Sequence, residues 1–511
     1  MAVPDVIGVC GAGTMGAGIA QLAAEAGART LLFDAAEGAA ARALERLDAL
    51  VARGKVAPEA RARIEPAAAL EDLAPCGLVI EAVPERLALK QELFARLEAV
   101  VGAGCVLATN TSSLPVTEIA AGAERPERVV GMHFFNPAPL MALVEVVAGA
   151  RSGAAALATA RAVGAAMGRR VIDAADTPGF LVNRCNRPFG LEALRLVQER
   201  LATPAQVDRI ARLAGGFRMG PFELMDLVGL DVSLAVQRSF FEQSFGEPRW
   251  RPSPLLARQV AAGRLGRKTG CGWYEYAGGA PHRPPDPDPP EAGGGDGLVV
   301  IAGESPLALE LAGAAAEAGW EVAAPAEAEG ELPALIVDCG ATDEDPPLQG
   351  APQLLLCDLA PLATLDPGGS SAGFHALAPL AATHLVELTR QPTTSAAAAA
   401  AAERFFATLG RHVEWVGDAP GLVLGRIVAQ LVNEACFAVG EGAGAPADVD
   451  AGMVLGLSHP RGPLEWGDAI GPAQVLATLE ALHREYLEER YRPAPLLVRA
   501  ARADAPLRSD S

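Results

Sequence analysis

From residue 5 to about 175, short β-rich runs alternate with stretches whose apolar positions recur at helical spacing. Val6–Val9, Thr30–Phe33, Leu78–Val83, Val106–Thr109, Val129–His133, Leu143–Val147 and Arg170–Asp173 predict strands. Thr14–Ala26 and Arg86–Val101 predict helices between them. Strands alternating with helices imply a mostly parallel sheet covered on both faces. From about 178 to 265 strand signals vanish and the helical period takes over. One helix there has a legible start: in Thr203-Pro204-Ala205-Gln206 the Thr is an N-cap, the Pro opens the first turn and the Gln closes a capping box. The segment "APHRPPDPDPPEAGGGDG" (280–297) suits neither helix nor sheet and reads as a linker, semi-rigid in its proline half and flexible in its glycine half. Alternation then resumes to about 416, and a second helical region runs to the end.

The two halves repeat. "DTPGFLVNR" begins at Asp176 and "DAPGLVLGR" at Asp418, a displacement of 242. The same displacement carries Val207-Asp208 to Val449-Asp450, Gly220-Pro221 to Gly462-Pro463, Glu223 to Glu465, Asp226 to Asp468 and Gly229 to Gly471. It also carries Gly131, His133 and Glu145 to Gly373, His375 and Glu387. So many matches at one gapless offset mark a tandem duplication, with a second copy that is shorter upstream. The expected division is 1–177, an α/β dinucleotide domain; 178–279, a helical domain; 280–297, the linker; 298–417, a second α/β domain; and 418–511, a second helical domain.

Length and composition agree with several domains: 511 residues exceed one ordinary core, and half of them are apolar. Forty-two Lys+Arg against 62 Asp+Glu give a net charge of −20, which disfavours nucleic acid and anionic membranes. The eight cysteines are scattered without a CxxC pair, as in a reduced intracellular protein with no zinc site. No run approaches the ~18 apolar residues of a membrane span, so the expectation is a cytoplasmic protein.

Gly11-Ala12-Gly13-Thr14-Met15-Gly16 fits G-x-G-x-x-G, follows a predicted strand and opens a predicted helix, and Asp34 ends the next strand. Gly11 permits the tight turn, Gly13 lets a pyrophosphate approach the main chain, and Gly16 lets helix and strand pack closely; the helix N-terminus supplies N–H donors. Asp34 suits a ribose diol and repels a 2′-phosphate, which points to NAD over NADP. A purely structural Gly/Ala turn is the bland alternative. The corresponding stretch of the second half, "IAGESPLALE", has Gly303, Ser305 and Ala308 at the three positions, and a serine where the pyrophosphate passes argues against binding there.

Three further stretches carry candidate chemistry: "TNTSSLP" (109–115), "GMHFFNPAPLMALVEVV" (131–147) and "DTPGFLVNR" (176–184). Two begin at or beside strand ends, where open α/β sheets bind ligands. A lone His133 is more often a satisfied core histidine, but Glu145 twelve residues on, across a Pro-containing turn, offers a carboxylate to one ring nitrogen. That raises basicity at the other nitrogen and suits removal of a hydroxyl proton while the carbon loses hydride. Ser112 and Asn183 are neutral groups able to bind the reacting oxygen and a neighbouring carbonyl; taken singly, each also reads as an ordinary turn or helix-terminal polar residue.

On these segments, with "MGPFELMDLVGLD" and "GRKTGCGWYEY" (266–276), the first half resembles the L-3-hydroxyacyl-CoA dehydrogenase family throughout, and the second half does so with decay. The two-copy layout is similar to the long bacterial form, the 3-hydroxybutyryl-CoA or 3-hydroxyadipyl-CoA dehydrogenases, the latter from phenylacetate breakdown. The resemblance implies an α/β Rossmann-type NAD domain plus an all-α C-terminal domain, duplicated with a degenerate second copy. It implies reversible NAD-dependent oxidation of L-3-hydroxyacyl-CoA to 3-ketoacyl-CoA, as in β-oxidation. His133 matches the family's base, Glu145 its supporting carboxylate, and Ser112 and Asn183 its substrate-contacting groups. Gly11, Gly13, Thr14, Met15, Gly16, Asp34, Glu85, Lys90, Asn110 and Asn136 match cofactor contacts, and Lys55 falls where the CoA nucleotide is handled. No metal is implied. A dicarboxylic acyl tail asks for a cation, for which Arg184, Arg187 and Arg218 are candidates. In the second half Gly425 stands for Asn183, Ala378 for Asn136, and no "NTSS" appears, which reads as a non-catalytic scaffold. The helical domain mediates dimerisation in the family, so the expectation is a homodimer or an internal pseudo-dimer. The alternative function is a non-catalytic NAD-binding scaffold or sensor.

Overall fold

A computed structural model of the protein describes residues 3–276, 278, 281–328, 330–340 and 350–509. The expected boundary at 279/280 and both chain ends lie outside them. Two sheets are present. The first contains β1 (Val6–Cys10), β2 (Arg29–Phe33), β3 (Ile64–Pro66), β4 (Leu78–Glu81), β5 (Val106–Thr109), β6 (Val129–Phe134), β7 (Leu143–Ala148) and β8 (Arg170–Ala175), in the order β3-β2-β1-β4-β5-β6-β7-β8. All its pairings are parallel except β6 with β7. The seven strands expected from sequence are all present, within a few residues at each end. The added strand β3 and the helices Ala39–Ala52 and Pro58–Ala62 form the extension after Asp34. Ala154–Ala166 is a further helix that its alanine-rich sequence left unmarked.

The second sheet contains β9 (Leu298–Ala302), β10 (Glu321–Ala323), β11 (Leu335–Asp338), β12 (Gln353–Leu356), β13 (Ala372–His375), β14 (Leu385–Arg390) and β15 (His412–Val416), in the order β10-β9-β11-β12-β13-β14-β15. It repeats the first without β3, and its single antiparallel pairing, β13 with β14, falls where β6 meets β7. Beyond each sheet the chain is helical. The helix Pro204–Leu213 starts as the sequence predicts, with Thr203 Oγ1 accepting from Gln206 N–H at 3.3 Å and Gln206 Oε1 accepting from Thr203 N–H at 2.9 Å. No helix among the described residues is long and apolar enough to cross a membrane.

By contacts, the chain falls into two units. The first runs to Cys185 and takes in Ala438–Ser458 from the second half; the other contains Asn186–Phe437 and His459–Ser509. In each, first-half residues bond to second-half residues, and the pairings are reciprocal. In the first unit Ala175 N–H donates to Ala443 O at 2.9 Å and Arg184 pairs with Glu441 at 2.6 Å. In the second unit Gly417 N–H donates to Leu201 O at 2.7 Å and Arg426 pairs with Glu199 at 2.9 Å. Each residue of one set lies 242 positions from its counterpart in the other. Arg426, wholly buried, also pairs with Glu192 at 2.6 Å, and Tyr491 donates to the same carboxylate at 2.7 Å. Among the segments expected from sequence, the linker is not loose at its start: His282 and Arg283 both bond to Glu223, at 2.8 and 2.6 Å, and Asp286 bonds to Arg212. Burial works against the Glu223 charge, but the hydrogen bonds from His282, Arg283 and Gly220 N–H and the Arg212 charge pull its pKa to about 2.

Candidate active site

The glycine loop leaves β1 at Gly11, whose φ of +106° is open only to glycine at low cost. A Cβ there would lie 2.5 Å from Ala82 O, and one on Gly16 would lie 1.7 Å from Gly11 O, so both glycines are required by close packing. At Gly13 nothing stands within 4 Å of such a Cβ: that space faces out of the protein. Gly13 is the N-cap of the helix Thr14–Glu25 and has no side chain to cap it, so first-turn N–H groups are available to an anion. Asp34 sits at the end of β2 and accepts from Ala12 N–H at 2.7 Å and Ala36 N–H at 2.9 Å, which fixes its carboxylate beside the loop. Bare main chain, open volume at the middle glycine and a held acidic group together fit a dinucleotide diphosphate and its ribose.

His133 lies on β6 directly opposite Glu145 on β7. The antiparallel turn brings Nδ1 to 2.6 Å from Glu145 Oε2, with both side chains almost wholly buried. Glu145 Oε1 accepts from Leu181 N–H at 3.1 Å and Val182 N–H at 2.9 Å. A carboxylate that accepts main-chain donors on one oxygen can accept from Nδ1–H on the other, the tautomer that leaves Nε2 with its lone pair. Phe135 and Phe180 pack around the ring, with centroids 4.6 and 5.8 Å away. Asn110 ties β5 to this strand, its Oδ1 accepting from Phe134 N–H at 2.8 Å.

The loop carrying Ser112 is held by Glu85. Its Oε1 accepts from Thr111 Oγ1 at 2.5 Å, Ser112 N–H at 3.0 Å and Ser113 N–H at 3.1 Å. Burial opposes the Glu85 charge, yet Lys90 and these donors keep its pKa below the ordinary value. Lys90, expected among the cofactor contacts, is fully buried, and its ammonium bonds to Glu81 at 2.7 and 2.9 Å and to Glu85 at 3.1 Å. Sequence reasoning missed Glu81. It is wholly buried, also accepts from Thr109 Oγ1 at 2.7 Å and Val83 N–H at 2.7 Å, and so anchors Lys90 and the end of β5. Its only local signal is a carboxylate ending a strand nine residues before a lysine. Of the other expected residues, Ser112, Thr14, Asn136 and Lys55 are exposed; Met15 and Asn183 are half-buried. Arg184 is spent on Glu441 and buried, and Arg187 lies over the Phe240 ring, which leaves Arg218 as the exposed member of the three arginines considered for a charged tail.

The second half repeats the frame with different occupants. His375 faces Glu387 across β13 and β14, and Glu387 accepts from Val423 and Leu424 N–H at 2.7 and 3.0 Å, as Glu145 does from Leu181 and Val182. Thr109 pairs with Gly131 in one sheet and Leu355 with Gly373 in the other, so three residues on, Asp358 takes the position of Ser112. Its carboxylate lies 3.0 Å from His375 Nε2. At Gly425, which replaces Asn183, a Cβ would meet that same Nε2 at 2.4 Å. Burial alone would lower the His375 pKa, but Asp358 and Glu387 lift it to about 10. The nitrogen that is open in His133 is occupied in His375.

Comparison with known proteins follows this geometry. The model of the 3-hydroxyacyl-CoA dehydrogenase NAD-binding domain matches residues 6–177, and that of the family's C-terminal domain matches 179–276 and again 421–509. The chain is 37% identical over 503 residues to a 3-hydroxyadipyl-CoA dehydrogenase of Escherichia coli strain K12, covering 96% of each chain. It is 40% identical over 276 residues to a probable 3-hydroxybutyryl-CoA dehydrogenase of Bacillus subtilis, covering 52% of this chain and 96% of the relative. A crystal structure of 3-hydroxybutyryl-CoA dehydrogenase from Escherichia coli K12 superposes with a TM-score of 0.79 at 32% identity, covering 98% of this chain and 99% of that one.

Proposed function

The chain belongs to the 3-hydroxyacyl-CoA dehydrogenase family, and from that premise we propose that it oxidises short-chain L-3-hydroxyacyl-CoA with NAD at one site, in the first half, with His133 as general base. The observation that carries this reading is the 2.6 Å Glu145–His133 bond together with the absence, among the described residues, of a partner for Nε2. Glu145 orients the ring and stabilises the imidazolium formed when Nε2 takes the hydroxyl proton. Ser112 and Asn183 position the reacting oxygen and the thioester carbonyl. The glycine loop, with Thr14, Met15 and Asp34, holds NAD, which supplies the hydride acceptor when bound. Asn110, Glu85 and Asn136 flank it, Lys90 acts through Glu85, and Lys55 serves the CoA nucleotide. A scaffold or sensor that only held the dinucleotide would need the loop and not the buried imidazole–carboxylate pair.

The second half is, on this reading, a degenerate copy, and the division into two α/β and two helical domains with a linker stands as our proposal. The reciprocal pairings of Ala175 with Ala443 and Gly417 with Leu201 support an internal pseudo-dimer, because an isologous interface pairs residue i with j and j with i. Eight cysteines that form no disulfide suit a reducing cytoplasm. The acyl chain is proposed as 3-hydroxybutyryl or 3-hydroxyadipyl, the two named in relatives. The test is NADH formation with each thioester. A kcat/KM that favours neither over long-chain substrates, or turnover that persists in His133→Gln, overturns the reading.

A further inference from the structure

The segment Ala438–Ser458 comes from the second half but packs on the strands and turn that carry the His133–Glu145 pair. Three of its glycines do so at distances where an added Cβ would force a neighbour to shift. A Cβ on Gly444 would lie 2.5 Å from Leu181 Cδ2; one on Gly452 would lie 2.6 Å from Val182 Cγ2 and 3.2 Å from Ile172 Cδ1; one on Gly456 would lie 2.8 Å from Leu143 Cδ2 and 3.4 Å from the Phe135 ring. These neighbours are the ones that hold the site. Leu181 and Val182 donate their N–H groups to Glu145, Leu143 lies two residues before Glu145 on β7, and Phe135 packs on the His133 ring. The positions 242 residues earlier, which belong to the other unit, are Ala202, Ile210 and Ala214, so the glycines are found only where the open imidazole is.

From this asymmetry we propose that Gly444, Gly452 and Gly456 are positioning residues for the reaction, through which the second half sets the His133–Glu145 geometry. The inference rests on the reading of His133 as base. The helix Pro446–Leu457 carries Gly452 and Gly456 four residues apart, on one face. Without side chains there, its backbone presses directly on Val182, Leu143 and Phe135. Val182 is β-branched and has little rotameric freedom to retreat. Added volume at 452 therefore moves the Val182 main chain and lengthens its 2.9 Å bond to Glu145. With that tether lengthened, Glu145 is no longer held against Nδ1, the imidazolium loses its partner, and the basicity of Nε2 falls. The second half has lost its own chemistry while keeping a surface the first half needs.

The experiment uses the full chain with Gly452→Val and Gly456→Leu, and Gly452→Ala as the milder form if either fails to fold. In the folded variants kcat falls about tenfold or more, as expected when a catalytic group is misplaced by a fraction of an ångström. The pKa of the essential base in the kcat/KM profile moves to lower pH. Val182→Ala, added to Gly452→Val, makes room and restores both. Ala214→Val, at the counterpart of 456, leaves kcat and profile as in the parent. The proposal is overturned if folded Gly452→Val and Gly456→Leu keep the parental kcat and profile, if Val182→Ala restores neither, or if Ala214→Val shifts the profile equally. His133→Gln separates the failures: activity that survives there sinks the base assignment itself, whereas loss there with parental Gly452→Val kinetics sinks only this proposal.

Discussion

His133 and His375 occupy the same place in two sheets of the same order, each opposite a glutamate held by two main-chain N–H groups. What separates them is their neighbours: Asp358 and Gly425 stand where the first half has Ser112 and Asn183, and His375 Nδ1 lies 3.6 Å from Glu387 against 2.6 Å for His133 and Glu145. No partner for His133 Nε2 is present among the described residues, while Asp358 sits 3.0 Å from Nε2 of His375. Asp358 and Glu387 raise the His375 pKa to about 10, and a protonated imidazole is no base at neutral pH. On the proposed reading, the same frame serves as a proton acceptor in the first half and an internal ion pair in the second, according to whether the third side chain is neutral or charged.

The largest effect that breaks this comparison is on turnover. His133→Gln is expected to lower kcat for NADH formation by on the order of a thousandfold, within the range a general base contributes. His375→Gln should leave kcat within about twofold. Comparable losses in both variants would mean two working sites and would end the single-site account.

Next in size is stability. His375 has a folded pKa near 10 against 6.5 unfolded, so its contribution is complete below about pH 6.5 and is lost as pH rises through 10. Asp358→Asn removes one of the two charges that raise it. The parent should exceed the variant by a few kcal/mol at pH 6, with the gap narrowing toward pH 10, when both are unfolded in urea across that range. A gap that widens with pH would contradict the sign.

The glycine loops give a third contrast. Gly13 leaves its helix N-terminus uncapped, whereas Ser305 Oγ accepts from Ala308 N–H at 3.2 Å and Pro306 removes another donor. Importing that chemistry with Gly13→Ser and Thr14→Pro should weaken NAD binding about tenfold or more, read as the Kd from protein fluorescence, because charge-assisted N–H bonds are lost at roughly 1.5 kcal/mol or more each. The open space at Gly13 means the fold should tolerate it. Undiminished affinity would show that the diphosphate does not lie on this loop.

Much of this was legible in the residues. The strands of the first sheet announce themselves because their apolar runs are bounded by turns, and the 12-residue spacing of His133 and Glu145 across a proline turn is a hairpin spacing. The repeat offset of 242 exposes His375 and Glu387. It does not expose Asp358, because Ser112 and Asp358 are 246 apart, and only the ladder partners Gly131 and Gly373 align them. Lys90 was legible as a residue type but not as a buried ion-pair member, since its partner Glu81 closes the apolar strand β4 and carries only a faint signal in the spacing. The crossing of Ala438–Ser458 to the first unit leaves no periodic signal at all; it is a property of which faces remain unburied once both sheets exist.

The smallest effect sharpens the loop comparison, because it asks whether Ser305 serves helix stability and not a ligand. An N-cap serine replaced by alanine typically costs about 1 kcal/mol, and replaced by glycine only a few tenths. Ser305→Ala should therefore lower the unfolding free energy read from urea titration by that amount while NAD affinity and kcat stay unchanged, and Ser305→Gly should cost less than Ser305→Ala. The reverse holds at Gly13, where a cap adds to helix stability and subtracts from binding. A drop in NAD affinity on Ser305→Ala would place a dinucleotide at the second loop, and the division of labour between a helix end kept open for a ligand and one closed by its own side chain would fail there.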